Sequence, residues 1–238
     1  MCKNPFFVVV CLVLAGGVGA VGWIGGSLIV VHGVNSVGRA LWAVRRGFRG
    51  VEVDVAPGRG GGVVCCHVSE DGVAVGLVRG VGVGCRGCGL GRVLGVLPRD
   101  VVLFLDCKVP WVCVDAVGVA VGMGFGRVYA VCRDHRVLGR VSSLFPGVGV
   151  LASLDSRLVG LAGYLESIGA SGVSIRALYV DEGLVGELHG RGLVVAAWVV
   201  DDPLLAGRLA GWGVDFIVSG RPLRLVGSRG RFRVFSWF

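Results

Sequence analysis

Residues 28–55 read LIVVHGVNSVGRALWAVRRGFRGVEVDV. LIVVH (28–32) is a β-branched run ending on a polar residue, 36–46 has helical spacing, and GVEVDV (50–55) is a second β-branched run. Strand, helix and strand in this order make one crossover unit of a parallel sheet. No G-x-G-x-x-G opens the helix after the first strand, which disfavours the doubly wound open sheet.

Downstream the pattern recurs. Further strand candidates are VVLFLD (101–106), RVYAV (127–131), VGVLAS (148–153), GVSI (172–175), LVVAAW (193–198) and DFIVS (215–219), with an extra run VVCCHV (63–68) just past the second strand. Helical stretches are expected at 89–97, 112–123, 135–144, 155–168, 181–189 and 203–212, each followed by a glycine or a turn. GRGGG at 58–62 reads as a turn and not as a phosphate loop. Eight such units predict the α/β class and a single-domain (β/α)8 TIM barrel.

Composition agrees with a buried-strand-rich body. The chain has 238 residues, 54% of them hydrophobic and 17% charged, which excludes a disordered chain. Its 44 glycines have no triplet period, which excludes collagen. Mean hydropathy is +0.78, yet after residue 26 glycine, charge or proline cuts every apolar run short of membrane thickness. The net charge of +8 favours an anionic partner such as phosphate or a lipid head group. Nucleic acid is not expected, because the basic residues are scattered and form no recognised binding module.

Both ends differ from the middle. Residues 6–26 carry no charge and include Val18, Gly19 and Ala20, so 1–26 is expected to be a signal peptide or an N-terminal membrane anchor, and the protein secreted or membrane-anchored. The barrel is expected over 27–226. The tail 227–238 mixes arginines with Phe232, Phe235, Trp237 and Phe238, a composition suited to a membrane surface or to a frayed end. Nine cysteines at irregular spacing are no small disulfide scaffold. In an oxidising compartment Cys85 and Cys88 are expected to pair locally, with half a zinc site the weaker reading, and Cys107 and Cys113 read as small core side chains.

In a barrel of this kind reacting groups come from the carboxyl ends of strands. His32 ends the first strand, Glu52 and Asp54 lie on one face of the second, His67 ends the extra run, Asp106 and Lys108 end the third, and Trp198 ends the seventh. Clustered carboxylates repel, so with Asp106 arriving from the next strand the set invites a divalent cation, Mg²⁺ or Ca²⁺. The bland reading is a salt-bridged pair with Arg46 or Arg49 as partner. Two imidazoles flanking the acids are what phosphoryl chemistry would need. His135 and His189 fall in helical stretches and receive no role.

The stretches VVHGVNSVGRALWAVRRGFRGVEVDV, VVCCHV and VLFLDCK, with the ending GLVVAAWVVDDPLLAGRLAGWGVDFIVSGRP, resemble the metal-dependent glycerophosphodiester phosphodiesterases and the related sphingomyelinase D type phospholipases. The matches run in order over most of 28–223. The resemblance implies His32 and His67 as acid and base, Glu52, Asp54 and Asp106 as metal ligands, and Lys108 and Trp198 at the substrate. It implies cleavage of glycerophosphodiesters or (lyso)phospholipids, with a substrate hydroxyl attacking phosphorus to give a cyclic phosphate. Gly33 stands where the glycerophosphodiester branch has an arginine phosphate clamp, and Arg133 is a candidate replacement. Asn35 in HGVN, Asp106 in place of a glutamate, and cysteines after the second histidine are closer to the sphingomyelinase D branch. The alternative, motivated by Gly33, is a catalytically impaired barrel that binds a phosphorylated ligand or lipid head group. Head-group specificity and oligomeric state are not legible.

Overall fold

The structure is a computed structural model in which residues 22–68 and 85–226 are described. Eight parallel strands follow one another: β1 Ser27–Val31, β2 Gly50–Pro57, β3 Val102–Cys107, β4 Val128–Cys132, β5 Gly149–Leu154, β6 Gly172–Arg176, β7 Val194–Trp198 and β8 Phe216–Ser219. β1 pairs with β8 on one side, Leu28 opposite Phe216, and with β2 on the other, Val30 opposite Gly50, so the sheet closes. The helices are α1 Val37–Arg45, α2 Leu90–Leu94, α3 Cys113–Gly122, α4 Arg136–Leu144, α5 Leu161–Ser167, α6 Glu182–His189, α7 Pro203–Gly211 and α8 Pro222–Val226. The (β/α)8 barrel read from the sequence is the observed fold.

Alternation along the strands builds two cores. Leu28, Val30, Phe104, Tyr129, Val131 and Phe216 are among the side chains filling the barrel interior, while Ile29, Val31, Val51, Val53, Leu103 and Leu105 lie in the layer under the helices. Each such full burial of a large side chain contributes about 1.5–3 kcal/mol. Phe104, Tyr129 and Phe216 meet with ring centroids 5.0–5.2 Å apart. Gly149 makes room for them, because a Cβ there would stand 2.4 Å from the Tyr129 ring.

Local chemistry sets the helix starts. The side chains of Ser36, Asp181 and Asp202 cap α1, α6 and α7 by accepting from Arg39, Leu184 and Leu205 N–H. The helix expected over 155–168 begins only at Leu161. Gly160 before it is left-handed (φ 70°), and Asp155 and Arg157 are held in ion pairs outside the helix.

Two departures from a plain barrel matter for the site. The run expected at 63–68 forms only a short strand, Val63–Cys65, antiparallel to β2, so it belongs to an arm and not to the ring. GRGGG is the turn of that arm, with Gly58 N–H donating to Gly62 C=O at 2.9 Å and left-handed Gly61 and Gly62. At the opposite end Trp23–Ile24 pairs antiparallel with the start of β1, and Trp23 packs against the interior cluster. The expectations for 1–21 and for the tail 227–238 lie outside the described residues. Among the described residues no helix is long and apolar enough to cross a membrane.

The local Cys85–Cys88 pair is corrected. Cys85 is bonded to Cys66, with Cα atoms 6.4 Å apart, and Cys88 is a free thiol in the short strand Cys88–Gly89, opposite Cys65. The reason is register. Cys85 N–H donates to Pro57 C=O while Cys88 pairs with Cys65, so the two cysteines meet different residues of the arm and Cys85 falls to Cys66. Cys107 and Cys113 are buried between β3 and α3, as expected of small core side chains.

Candidate active site

Interior strand positions follow a two-residue period, and the last inward position on each strand meets the barrel mouth. On β1 this continues Leu28 and Val30 to His32, and on β3 it continues Val102 and Phe104 to Asp106. On β2 the inward positions hold Glu52 and Asp54 where other strands bury apolar groups, and both are buried. A cavity of about 220 Å³ opens there, lined by His32, Glu52, His67, Asp106, Lys108 and Trp198 among others. It is smaller than the roughly 300–1,000 Å³ typical of drug-sized ligand pockets. A phosphate with small alcohols fits that scale.

The three carboxylates converge. One oxygen each from Glu52, Asp54 and Asp106 lie within 4.8 Å of one another. Lys108 bridges two of them, its Nζ 2.6 Å from Asp54 Oδ1 and 2.5 Å from Asp106 Oδ2. Lys108, not Arg46 or Arg49, is therefore the cation beside the acids, and Arg49 pairs instead with Asp100. Asn35 Nδ2 donates to Asp54 Oδ2 at 2.6 Å while Asp54 N–H donates back to Asn35 Oδ1 at 3.0 Å. Gly33 N–H donates to Glu52 Oε2 at 2.6 Å. Gly33 is left-handed (φ 67°), so the residue standing where an arginine clamp was sought serves through its backbone.

The electrostatics follow from this crowding. Burial, then Asp54 and Asp106, push the Glu52 carboxyl well above its ordinary range. Burial would also raise Asp54, but the Lys108 charge and the hydrogen bonds from Lys108, Asn35 and His67 outweigh it and hold Asp54 low. Burial would lower the Lys108 amine, and Asp106 and Asp54 together keep it raised. Burial holds His32 below its ordinary value.

The imidazoles sit on different carboxylates. His32 Nε2 lies 3.8 Å from Glu52 Oε2, and His67 Nδ1 lies 3.3 Å from Asp54 Oδ1. His67 follows Cys66, so the Cys66–Cys85 bond anchors its backbone. His32, Glu52, Asp54, His67, Asp106 and Lys108 are thus brought into one cluster, and Trp198 stands across the cavity with Arg133. His135 bonds the Tyr164 hydroxyl at 2.6 Å, and His189 bonds Asp215 at 2.9 Å, both away from the cluster. The residue sequence reasoning left out of the site is Asn35. Its signal was the HGVN spacing, which sets a short amide three residues past His32, in the loop between β1 and α1, where it meets Asp54 on β2.

A divalent cation fits these residues on one observation. Glu52 Oε1 is buried without a hydrogen-bond partner among the described residues, beside two further carboxylates. A buried carboxylate oxygen left unpaired is costly, and an oxygen-liganded cation would satisfy it.

No protein-family model matches the chain, and no curated protein matches its sequence. Solved structures do match. A Galdieria sulphuraria protein assigned as a glycerophosphodiester phosphodiesterase superposes with a TM-score of 0.72 at 18% identity, over 84% of this chain and 96% of its own. An Oleispira antarctica phosphodiesterase, solved with its product sn-glycerol-3-phosphate, gives 0.68 at 17% identity over 85% and 96%. A glycerophosphodiester phosphodiesterase from Parabacteroides distasonis gives 0.65 at 19% identity over 85% and 98%. At such identities the likeness is one of fold, and the fold of this chain is that of the glycerophosphodiester phosphodiesterase barrels.

Proposed function

We propose that the chain is a metal-dependent phosphodiesterase that cleaves glycerophosphodiesters by histidine acid–base catalysis. The observation that carries this reading is the pair of imidazoles on two carboxylates of one cluster, in which Glu52 Oε1 has no partner among the described residues. Three oxygen ligands suit Mg²⁺ or Ca²⁺, held by Glu52, Asp54 and Asp106. When bound, such an ion neutralises the phosphate charge and polarises phosphorus. The shared fold and the product bound by the Oleispira antarctica protein support a glycerophosphodiester substrate.

The chain's own residues then do the following. One of His32 and His67 takes the proton of a substrate hydroxyl as its oxygen bonds to phosphorus. The other gives a proton to the departing alcohol oxygen as the phosphorus–oxygen ester bond breaks. The products are an alcohol and a cyclic phosphate, which water opens if it reaches the site. Lys108 places positive charge beside the phosphate, and Asn35 and Gly33 N–H fix the carboxylates.

A second reading, turnover of lysophospholipids, is favoured by the mouth's exposed apolar side chains. Val159, Leu178 and Leu204 project from the segments after β5, β6 and β7, with Leu178 83% and Leu204 73% exposed. An acyl chain too large for the cavity would rest there. The Cys66–Cys85 bond and the charge-free run 6–26 support an extracytoplasmic, secreted or anchored protein.

The test is phosphodiester cleavage by purified protein with Mg²⁺, with Ca²⁺ and with EDTA, in wild type and His32→Ala, with products identified by phosphorus NMR. Metal-dependent turnover lost in the variant is expected. A folded protein that binds metal and phosphate without turnover would instead support the impaired, ligand-binding barrel.

A further inference from the structure

We propose that the half of the mouth built by β4–β7 is a head-group subsite for an alcohol that carries negative charge, with Arg133 and Arg176 selecting it over a quaternary ammonium. The inference rests on the phosphodiesterase reading and names the substrate class of that same site.

The same alternation that brings the acids together from β2 and β3 sets the opposite wall. Arg133, Ser153, Ser174 and Trp198 line the cavity, and two residues further along their strands the same alternation sets Asp155 after Ser153 and the exposed Arg176 after Ser174. Asp155 joins the two arginines. It accepts from Arg133 through both of its oxygens and from Arg176 Nε at 3.1 Å. The guanidinium carbons of Arg133 and Arg176 stand 5.9 and 5.5 Å from the Trp198 ring centroid.

This arrangement has two consequences for a ligand. An indole ring is the preferred seat of a trimethylammonium group, but this ring already has two guanidinium groups within cation–π range, so a third cation would meet like charge. Among the described residues Arg133 and Arg176 share the one carboxylate of Asp155, two guanidinium groups to one acid. Arg176 spends Nε on Asp155, and among the described residues no hydrogen bond engages its terminal nitrogens. They present the planar fork that binds carboxylate or phosphate oxygens.

The wall beneath carries donors among apolar side chains such as Phe104, Val131 and Val218. Trp198 Nε1 is buried without a partner among the described residues, and the Ser153 and Ser174 side chains line the same cavity. A buried N–H without an acceptor asks for one from the ligand. A polyol carrying a phosphate or carboxylate supplies acceptors to the serines and Trp198, and charge to the arginines. Choline supplies neither.

The experiment compares kcat/KM for glycerophosphocholine, glycerophosphoinositol and glycerophosphoinositol phosphate in wild type, Arg133→Gln and Arg176→Gln. Wild type is expected to favour the phosphorylated inositol over choline by about tenfold or more, and each variant to shrink that ratio by roughly tenfold through KM, the scale of one charge-assisted hydrogen bond. An unchanged ratio, or a preference for choline, overturns the subsite. Calorimetric titration of the metal-free protein with inositol bisphosphate and with phosphocholine separates the subsite from the catalytic reading. Inositol bisphosphate binding that Arg176→Gln weakens sustains the subsite even if no diester is cleaved. Equal binding of both probes, or of neither, overturns it whatever the turnover.

Discussion

Asn35 and Asp54 hold each other by two hydrogen bonds, amide to carboxylate at 2.6 Å and backbone N–H to amide oxygen at 3.0 Å, across 19 residues of sequence. The amide fixes the orientation of a buried carboxylate. Asn35→Ala is expected to weaken divalent-cation binding by about 10–100-fold, the range for loss of a supporting hydrogen bond at a metal ligand, while the fold persists. Isothermal titration with Mg²⁺ and Ca²⁺ reads this directly, and wild-type affinity in the variant would deny Asn35 its positioning role.

Lys108 balances the carboxylates of Asp54 and Asp106, with its side chain only 16% exposed. Lys108→Met leaves Asp54 and Asp106 without that charge, and a destabilisation of about 3–5 kcal/mol is expected in EDTA, the scale for breaking a buried ion pair. Saturating divalent cation should restore much of it through binding to the folded state alone. Urea midpoints measured with and without metal test the pattern, and an equal loss in both conditions contradicts it.

The Cys66–Cys85 bond closes a loop across a sequence separation of 19. Its removal by Cys66→Ser or Cys85→Ser is expected to cost about 3 kcal/mol, or roughly 6–12 °C in Tm for a chain of this size. Activity should fall too, because His67 is the next residue after Cys66. Cys88→Ser should leave Tm nearly unchanged under non-reducing conditions, whereas a large drop there would restore the local pairing that the sequence suggested.

His189 ends α6 and bonds Asp215, which also accepts from Val195 N–H at 2.8 Å. The Asp215 hydrogen bond raises the His189 value above 6.5 against the opposing effect of burial. The charged form is thus favoured by the folded state, and the pair's stabilisation is fully present below pH 6.5 and lost as pH rises through the higher folded value. With the His189 side chain 39% exposed, the effect should stay under about 1 kcal/mol. Urea midpoints from acid to mildly alkaline pH should fall more in wild type than in His189→Gln, and parallel curves would rule the pair out.

The barrel was legible because its signal is local. β-branched runs recur eight times with helical spacing between them, and each of the eight strands of the ring lies within two residues of its sequence-derived limits. The alternation of each strand is local as well, so the sequence alone set His32, Glu52, Asp54, Asp106 and Trp198 at strand ends on the inward side. The helix over 155–168 was overextended because the ion pairs of Asp155 and Arg157, which hold those residues in a loop, join segments far apart in sequence.

Partnership between side chains was decided only by the tertiary structure. Whether Cys85 meets Cys88 or Cys66 depends on the register of the arm folded back on β2, not on a three-residue spacing. Lys108 displaced Arg46 and Arg49 as the cation at the acids because parallel register sets Asp54 beside Asp106, two residues before Lys108, while Arg49 enters at the opposite end of β2. Asn35 on Asp54, His189 on Asp215, and two arginines around Trp198 likewise join residues from different units of the barrel. Periodicity says which way a side chain points; only closure of the ring, through the pairing of β1 with β8, says what it meets there.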